Sequence, residues 1–360
     1  MQESFPLAYS KQIHALGLMS GTSLDGLDIG YFSFVQDPDL NWHYEILQCA
    51  TLPYSDFWEQ SLRGASLLNA EELLELNTLY GRYLAQHVKE FVQKHSISKI
   101  DVVASHGHTV LHNPKKGYTL QIGDGRAIKL EFPNCQVVYD FRMQDVLLGG
   151  NGAPLVPIGD AHLFSNYQAC LNLGGFSNIS FQWNDVRTAF DISPVNTVLN
   201  HYASQLGHPY DKDGTLARTG NLDSELLARL DSLEFYTYPA PKSLGMEWVE
   251  KHIFPLLSTT DPHGALTTFT HHCAGVISRT LVQYDLHSVL VTGGGAYNSY
   301  LVELIKDYSG CNLFVPEAQL IEYKEALIFA FMGVLRMHNI NNVLASATGA
   351  QRDHSTGLLL

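Results

Sequence analysis

"GLMSGTSLDGLDIGYF", residues 17–32, sets a run of small, hydroxylated and acidic residues, Ser20 to Gly26, between two apolar stretches. Ile13–Met19 and Leu27–Phe34 are short and rich in apolar and aromatic residues. They read as the two strands of a hairpin whose tip is Ser-Gly-Thr-Ser-Leu-Asp-Gly. A tip that only reverses the chain needs about two to five residues. The glycine spacing from Gly21 to Asp28 follows that of a Walker phosphate loop, but Leu27-Asp28 stands where Lys-Ser or Lys-Thr is required, which excludes that loop. What remains is a strand–strand turn rich in N–H groups and hydroxyls. Gly21, Thr22, Ser23, Leu24, Gly26 and Leu27 can wrap an anionic phosphate, while Asp25 or Asp28 faces a Mg²⁺ ion through water. The alternative is a polar turn that serves structure alone.

Two further glycine-rich turns sharpen the reading. "ACLNLGGFSNISFQW" (169–183) is again strand, small polar turn, strand, with Gly174 and Gly175 at its tip and Asn178 just after. "HSVLVTGGGAYNSYLVELIKDY" (287–308) is strand, Gly293-Gly294-Gly295, helix. Asn298 stands where a dinucleotide fingerprint needs its third glycine, which weakens that fold. One hairpin in each half and a late triple glycine is the arrangement expected of a nucleotide in a cleft between domains. Two turns would clasp the phosphates and the third would lie flat against adenine and ribose.

The remaining elements alternate strand and helix, which predicts two α/β domains with mixed sheets. Asn69 and Glu72 form a capping box that opens a long helix reaching His95. "KIDVVASHGHT" (99–109) reads as a buried strand running into a polar loop, and "CQVVYD" (135–140) as another strand. "LLGGNGAPLVPIG" (147–159), loaded with Gly and Pro, marks the interdomain crossing. The expected division is an N-terminal domain over 1–140, with 340–360 packing back on it, and a C-terminal domain over 141–339. In "TAFDISPVNTVLNHYASQLG" (188–207), Asp191 ends a strand and a helix follows with Ser193 as cap and Pro194 in its first turn. A carboxylate at a strand end suits catalysis, or it complements the helix dipole. Glu325 opens the apolar helix "EALIFAFMGVLRMH" (325–338).

A formal charge of −14 and the lack of any basic run argue against a nucleic-acid partner. Five scattered cysteines without a C-x-x-C pair suit a reducing compartment. The N-terminus has no signal-peptide pattern and no stretch is apolar enough to span a membrane. The expected location is the cytoplasm. His106, His108 and His112 have the spacing of a metal cluster on paper, but loop histidines without a matched carboxylate read better as hydrogen-bonding residues. Asp124 and Arg126 in "QIGDGRAIK" suit a grip on hydroxyls or a carboxylate, or an ordinary surface salt pair.

"GLMSGTSLDGLD", "SHGHTVLHNP", "YTLQIGDG", "GAPLVPIGDAHLF", "NLGGFSNIS", "YDKDG", "PKSLG", "VTGGGAYN" and "EALIFAF" together resemble the successive signatures of the anhydro-N-acetylmuramic acid kinase family, in order and over nearly the whole chain. The resemblance implies a two-domain actin-like ATPase of the ribonuclease H-like class, with mixed sheets and an interdomain cleft. It implies ATP with Mg²⁺ and a small anhydro-amino sugar as partners, and a homodimer is kept open. The implied reaction opens the 1,6-anhydro ring of anhydro-N-acetylmuramic acid with water and phosphorylates the six-oxygen, giving the 6-phosphate sugar and ADP in cell-wall recycling. On that resemblance Asp191 is the general base, and His106, His108, Asp124, Arg126, Asn196 and Glu325 are expected at the sugar. Two departures stand out. The family usually reads Asp-Thr-Gly-Pro-Gly-Asn where this chain has Asp191-Ile192-Ser193-Pro194-Val195-Asn196, and it commonly has Gln where His108 stands. The bulk of Ile192 and Val195 is expected to narrow the sugar pocket or alter the loop. A kinase of the same fold for another sugar, and a catalytically silent actin-like nucleotide-binding protein, are the rival readings.

Overall fold

The computed structural model describes residues 11–21 and 24–360. In chain order the elements are β1 (Ile13–Ser20), β2 (Leu27–Gln36), β3 (Trp42–Leu52), α1 (Asp56–Gly64), α2 (Ala70–Lys94), β4 (Val102–Asn113), β5 (Tyr118–Ile122), α3 (Gly125–Glu131), β6 (Gln136–Tyr139), α4 (Met143–Leu147) and α5 (Pro157–Leu163). Then follow β7 (Ala169–Leu173), β8 (Phe176–Trp183), β9 (Val186–Pro194), α6 (Asn196–Gln205), α7 (Thr215–Thr219), α8 (Ser224–Asp231), α9 (Met246–His252), α10 (Phe254–Leu257) and α11 (Pro262–Gln283). The chain ends with β10 (Ser288–Thr292), α12 (Ser299–Ser309), β11 (Asn312–Phe314), α13 (Ala318–Met337), α14 (Ala345–Thr348) and β12 (Leu358–Leu359).

Two compact units result: the described residues up to Leu163 together with Tyr323–Leu360, and Phe164–Glu322. The sheet of the first runs β3-β2-β1-β4-β6-β12, and that of the second β9-β8-β7-β10-β11. In each, three strands form an antiparallel meander. A parallel strand then lies beside the first of them, and another parallel strand beside that. Both sheets thus repeat one mixed strand order, the mixed-sheet α/β architecture expected from the sequence.

Local chemistry explains the elements that carry the site. The Asn69 side chain accepts from the N–H groups of Glu71 and Glu72 while Glu72 accepts from Asn69 N–H, so the capping box forms and α2 starts as the sequence predicts. Its buried face, Leu76, Tyr80, Leu84, Val88 and Phe91, recurs at helical spacing and packs into a core with β1, β2 and β4. β1 is buried along nearly its whole length, as expected for a strand covered on both faces. At Gly17 the backbone of α13 comes so close that a β-carbon would overlap the Ala326 carbonyl.

Four boundaries differ from the sequence reading. The first unit runs to Leu163 and resumes at Tyr323, so the glycine-proline stretch 147–159 lies inside it. Asp145 is fully buried there and accepts from Gly152 N–H and the Thr348 hydroxyl, which ties that stretch to the C-terminal segment. β4 continues through Asn113, because residues 108–113 pair with β5, so the three histidines lie on a strand. Pro194 ends β9 opposite Phe176, and α6 begins at Asn196 because the Ser193 N–H and hydroxyl are both engaged by Ser177. Glu325 sits inside α13, which starts at Ala318.

Candidate active site

In the first unit Ser20 pairs with Leu27, which leaves Gly21 to Gly26 as the hairpin tip. Thr22 and Ser23 lie outside the described residues. Leu24 closes a turn onto the Gly21 carbonyl at 3.4 Å, with its side chain buried. Asp25 is exposed at the tip, whereas Asp28 lies in β2 and accepts from the Thr51 hydroxyl at 2.6 Å. Of the two carboxylates considered for Mg²⁺, Asp25 is the more exposed.

The parallel register sets Ser20 beside His108. Ser20 Oγ lies 3.0 Å from His108 Nδ1, the Tyr54 hydroxyl donates to Ser20 Oγ at 2.7 Å, and Tyr54 meets the Tyr80 hydroxyl at 2.6 Å. Burial pushes the His108 pKa down to about 4, so the ring is neutral near pH 7. His106 is held otherwise: Arg142 Nε donates to its Nε2 at 2.8 Å, and its Nδ1 bonds the Gly107 carbonyl at 2.9 Å. Burial, and then the charge of Arg142, hold His106 well below the ordinary histidine range. His112 bonds Thr119 instead. The three histidines therefore go to three different partners, and among the described residues no group of three His, Cys, Asp or Glu forms a metal site.

Glu325 carries exposed surface, yet protein crowds its carboxyl and raises its pKa, partly offset by Arg142 and Lys324. Arg142 is lowered to about 10 by the same burial, with Glu325 and Asp145 opposing, and its Nη1 donates to the Gly152 carbonyl at 2.7 Å. Next to Glu325, Lys324 forms a buried ion pair with Asp160 at 2.8 Å. Asp124 caps α3 by accepting from Arg126 N–H, and its carboxylate also takes the exposed Arg126 guanidinium. Gly81 and Asn77 of α2 fix that corner, Asn77 accepting from Gly123 N–H at 2.8 Å.

In the second unit one row crosses four strands: Thr292, Asn172, Asn178 and Asp191 are cross-strand partners in turn. Asp191 is half-buried and gripped by the segment that carries "PKSLG". Leu244 N–H donates to Asp191 Oδ2 at 2.9 Å, and Asp191 N–H donates to the Lys242 carbonyl at 3.0 Å. Burial raises the carboxyl pKa and the Leu244 bond partly restores it, which suits a proton acceptor. Lys242 is itself anchored, its Nζ donating to the Phe235 carbonyl at 3.1 Å.

The same unit gathers Gly174, Gly175, Asn196 and the triple glycine. Val195 and Thr197 N–H groups donate to the Gly175 carbonyl and Asn196 N–H to that of Gly174. Asn196 Nδ2 reaches the Leu173 carbonyl at 3.1 Å. Gly293, at φ +82°, packs on Asn172 and Leu173, while Gly294 offers an exposed, nearly open strip of backbone. Such a surface suits an adenine ring. Ile192 and Val195 are fully buried in the core of this unit, so their bulk is taken up by packing there.

The sequence reading missed Arg142, Tyr54 and Tyr80, which belong to no motif and act only through contacts distant in sequence. It also missed the buried Lys324, whose signal was a lysine at the head of an apolar run.

The family model described as anhydro-N-acetylmuramic acid kinase matches residues 13–360. The chain is 34% identical to an anhydro-N-acetylmuramic acid kinase of Shewanella halifaxensis (strain HAW-EB4), over 95% of this chain and 97% of that protein. It is 32% identical to one of Bacillus cereus (strain 03BB102), over 94% and 97% respectively. Among solved structures it is similar to the (R)-2-hydroxyglutaryl-CoA dehydratase component A of Acidaminococcus fermentans, 13% identical, with a TM-score of 0.46 over 89% of this chain and 97% of that one. The match to the family runs from β1 through β12, and the chain belongs to the anhydro-N-acetylmuramic acid kinase family.

Proposed function

We propose that this protein transfers the γ-phosphoryl group of ATP to the six-oxygen of 1,6-anhydro-N-acetylmuramic acid while water opens the anhydro bridge. The products are N-acetylmuramic acid 6-phosphate and ADP, the outcome of peptidoglycan recycling. The observation that carries the reading is Asp191: a half-buried carboxylate of raised pKa, aligned by the Leu244 N–H, in a chain that matches the kinase family along its length.

The chemistry assigns each group a task. Asp191 accepts the proton of the water that attacks the anomeric carbon. The bond from that carbon to the bridging oxygen breaks, and the released six-oxygen attacks the γ-phosphorus in line, with ADP leaving. Gly174, Gly175 and Asn178, with Gly21 to Asp28, are the proposed phosphate contacts, and Gly293 to Gly295 receive the base. His106, His108, Asn196 and Glu325 are the proposed sugar contacts, Asp124 and Arg126 more peripheral ones. Mg²⁺ keeps most of its water shell and takes one or two carboxylates, so the exposed Asp25 suits it, and the ion would offset charge on the phosphates. Among the described residues no helix is long and apolar enough to cross a membrane. All five cysteines are free thiols.

The test is incubation with ATP, Mg²⁺ and a panel of anhydro- and reducing amino sugars, with phosphosugar followed by mass. Phosphorylation of the anhydro-muramic acid above the others is expected. Turnover of a reducing sugar alone would overturn the reading.

A further inference from the structure

The hydroxyl chain behind His108 has a direction. Tyr54 owns one hydroxyl proton and spends it on Ser20 Oγ at 2.7 Å. Its oxygen therefore accepts from Tyr80 in the 2.6 Å contact between the two hydroxyls. Ser20 Oγ is buried, accepts from Tyr54, and among the described residues has only His108 Nδ1, at 3.0 Å, as an acceptor for its own proton, so it donates there. Nδ1 is then an acceptor, and the neutral ring must carry its proton on Nε2. Among the described residues Nε2 has no hydrogen-bond partner, and it is not among the buried polar atoms left unsatisfied. Tyr80 is completely buried and His108 nearly so, and their rings meet edge-on with centroids 6.4 Å apart, so the chain is packed in place.

We propose that Tyr80, Tyr54 and Ser20 are positioning residues that lock His108 in the Nε2–H form, making it a one-way hydrogen-bond donor to an oxygen of the bound sugar. Resting on the function proposed above, this deepens it. A locked Nε2–H supplies what a glutamine amide would supply at this position, a neutral N–H donor on a side chain of similar reach. The lock also starts at Ser20, the last residue before the hairpin tip, so the proposed phosphate turn and the sugar donor share one hydrogen-bonded chain.

The experiment has two independent arms on the full-length protein. The first is ¹⁵N NMR of histidine side chains in the ligand-free protein near pH 7, with His108 assigned by the loss of its signals in His108→Gln. A protonated Nε2 and an unprotonated Nδ1 are expected, with Tyr54→Phe or Ser20→Ala giving a mixture of the two neutral forms. A proton on Nδ1 in the wild type overturns the lock, whether or not the protein is active. The second arm is steady-state kinetics with the anhydro-sugar. His108→Leu should raise its KM roughly tenfold, the worth of one buried hydrogen bond, with little change in the KM for ATP, and His108→Gln should restore most of it. Equal KM values in the Leu and Gln variants overturn the donor role. Absence of any sugar phosphorylation by the wild type counts against the proposed function and the donor role, and leaves the NMR arm to decide the lock.

Discussion

Leu244 N–H donates to the Asp191 carboxylate at 2.9 Å while Asp191 N–H donates to the Lys242 carbonyl at 3.0 Å, so one short segment grips both the backbone and the side chain of the proposed base. The grip holds the carboxylate without neutralising it, because among the described residues no cation pairs with Asp191. Burial raises its pKa, and a base works only when ionised, so activity is lost as pH falls through that raised value. The acid limb of kcat/KM against pH should therefore lie above the ordinary aspartate range. A limb within that range contradicts the burial argument.

Gly293 predicts a selective nucleotide defect. Its backbone sits at φ +82° and ψ 163°, a region open essentially to glycine alone, and a β-carbon would come within 2.5 Å of Asn172 Oδ1. Forcing alanine there costs about 1–3 kcal/mol. Gly293→Ala should weaken binding of a non-hydrolysable ATP analogue roughly tenfold by calorimetry, with sugar affinity changed far less.

Gly17 predicts a fold defect. A β-carbon there overlaps the Ala326 carbonyl, and α13 cannot withdraw without moving its neighbour Glu325. Gly17→Ala should destabilise by about 3 kcal/mol, read as a lower urea midpoint.

The neutral histidines predict acid lability. An unfolded His108 takes up its proton below about pH 6.5, whereas the native ring resists it down to about 4. Protons then bind the unfolded chain preferentially, so stability falls as pH drops through that window. For His108 alone the loss approaches about 3 kcal/mol at the bottom of it. His106 and His272 are also held low, chiefly by burial, and add to the trend. Thermal melts from pH 7 to 4.5 should show a falling Tm, with a shallower slope in His108→Gln.

What the sequence revealed was local or repeated. The capping box at Asn69 and Glu72 lies within four consecutive residues and was readable in full. The two hairpins with small polar tips hinted weakly at a repeat, which the sheets display as one strand order. Distant contacts decided the rest. Ser193 has the composition of a helix cap, but Ser177 on the neighbouring strand claims it and Pro194 stays in β9. His106 and Arg142 stand 36 residues apart, and only the parallel pairing of β4 with β6 brings their segments together. The polar look of residues 108–113 suggested a loop, where β5 supplies a partner strand.

The most direct test follows the oxygen in labelled water. With anhydro-N-acetylmuramic acid, ATP and Mg²⁺ in H₂¹⁸O, sampled before the anomeric hydroxyl exchanges, the wild-type phosphosugar should gain one solvent oxygen, and Asp191→Asn should bind nucleotide but slow turnover at least about a hundredfold. Phosphosugar without the label, or an Asp191→Asn variant working at the wild-type rate, would contradict the account.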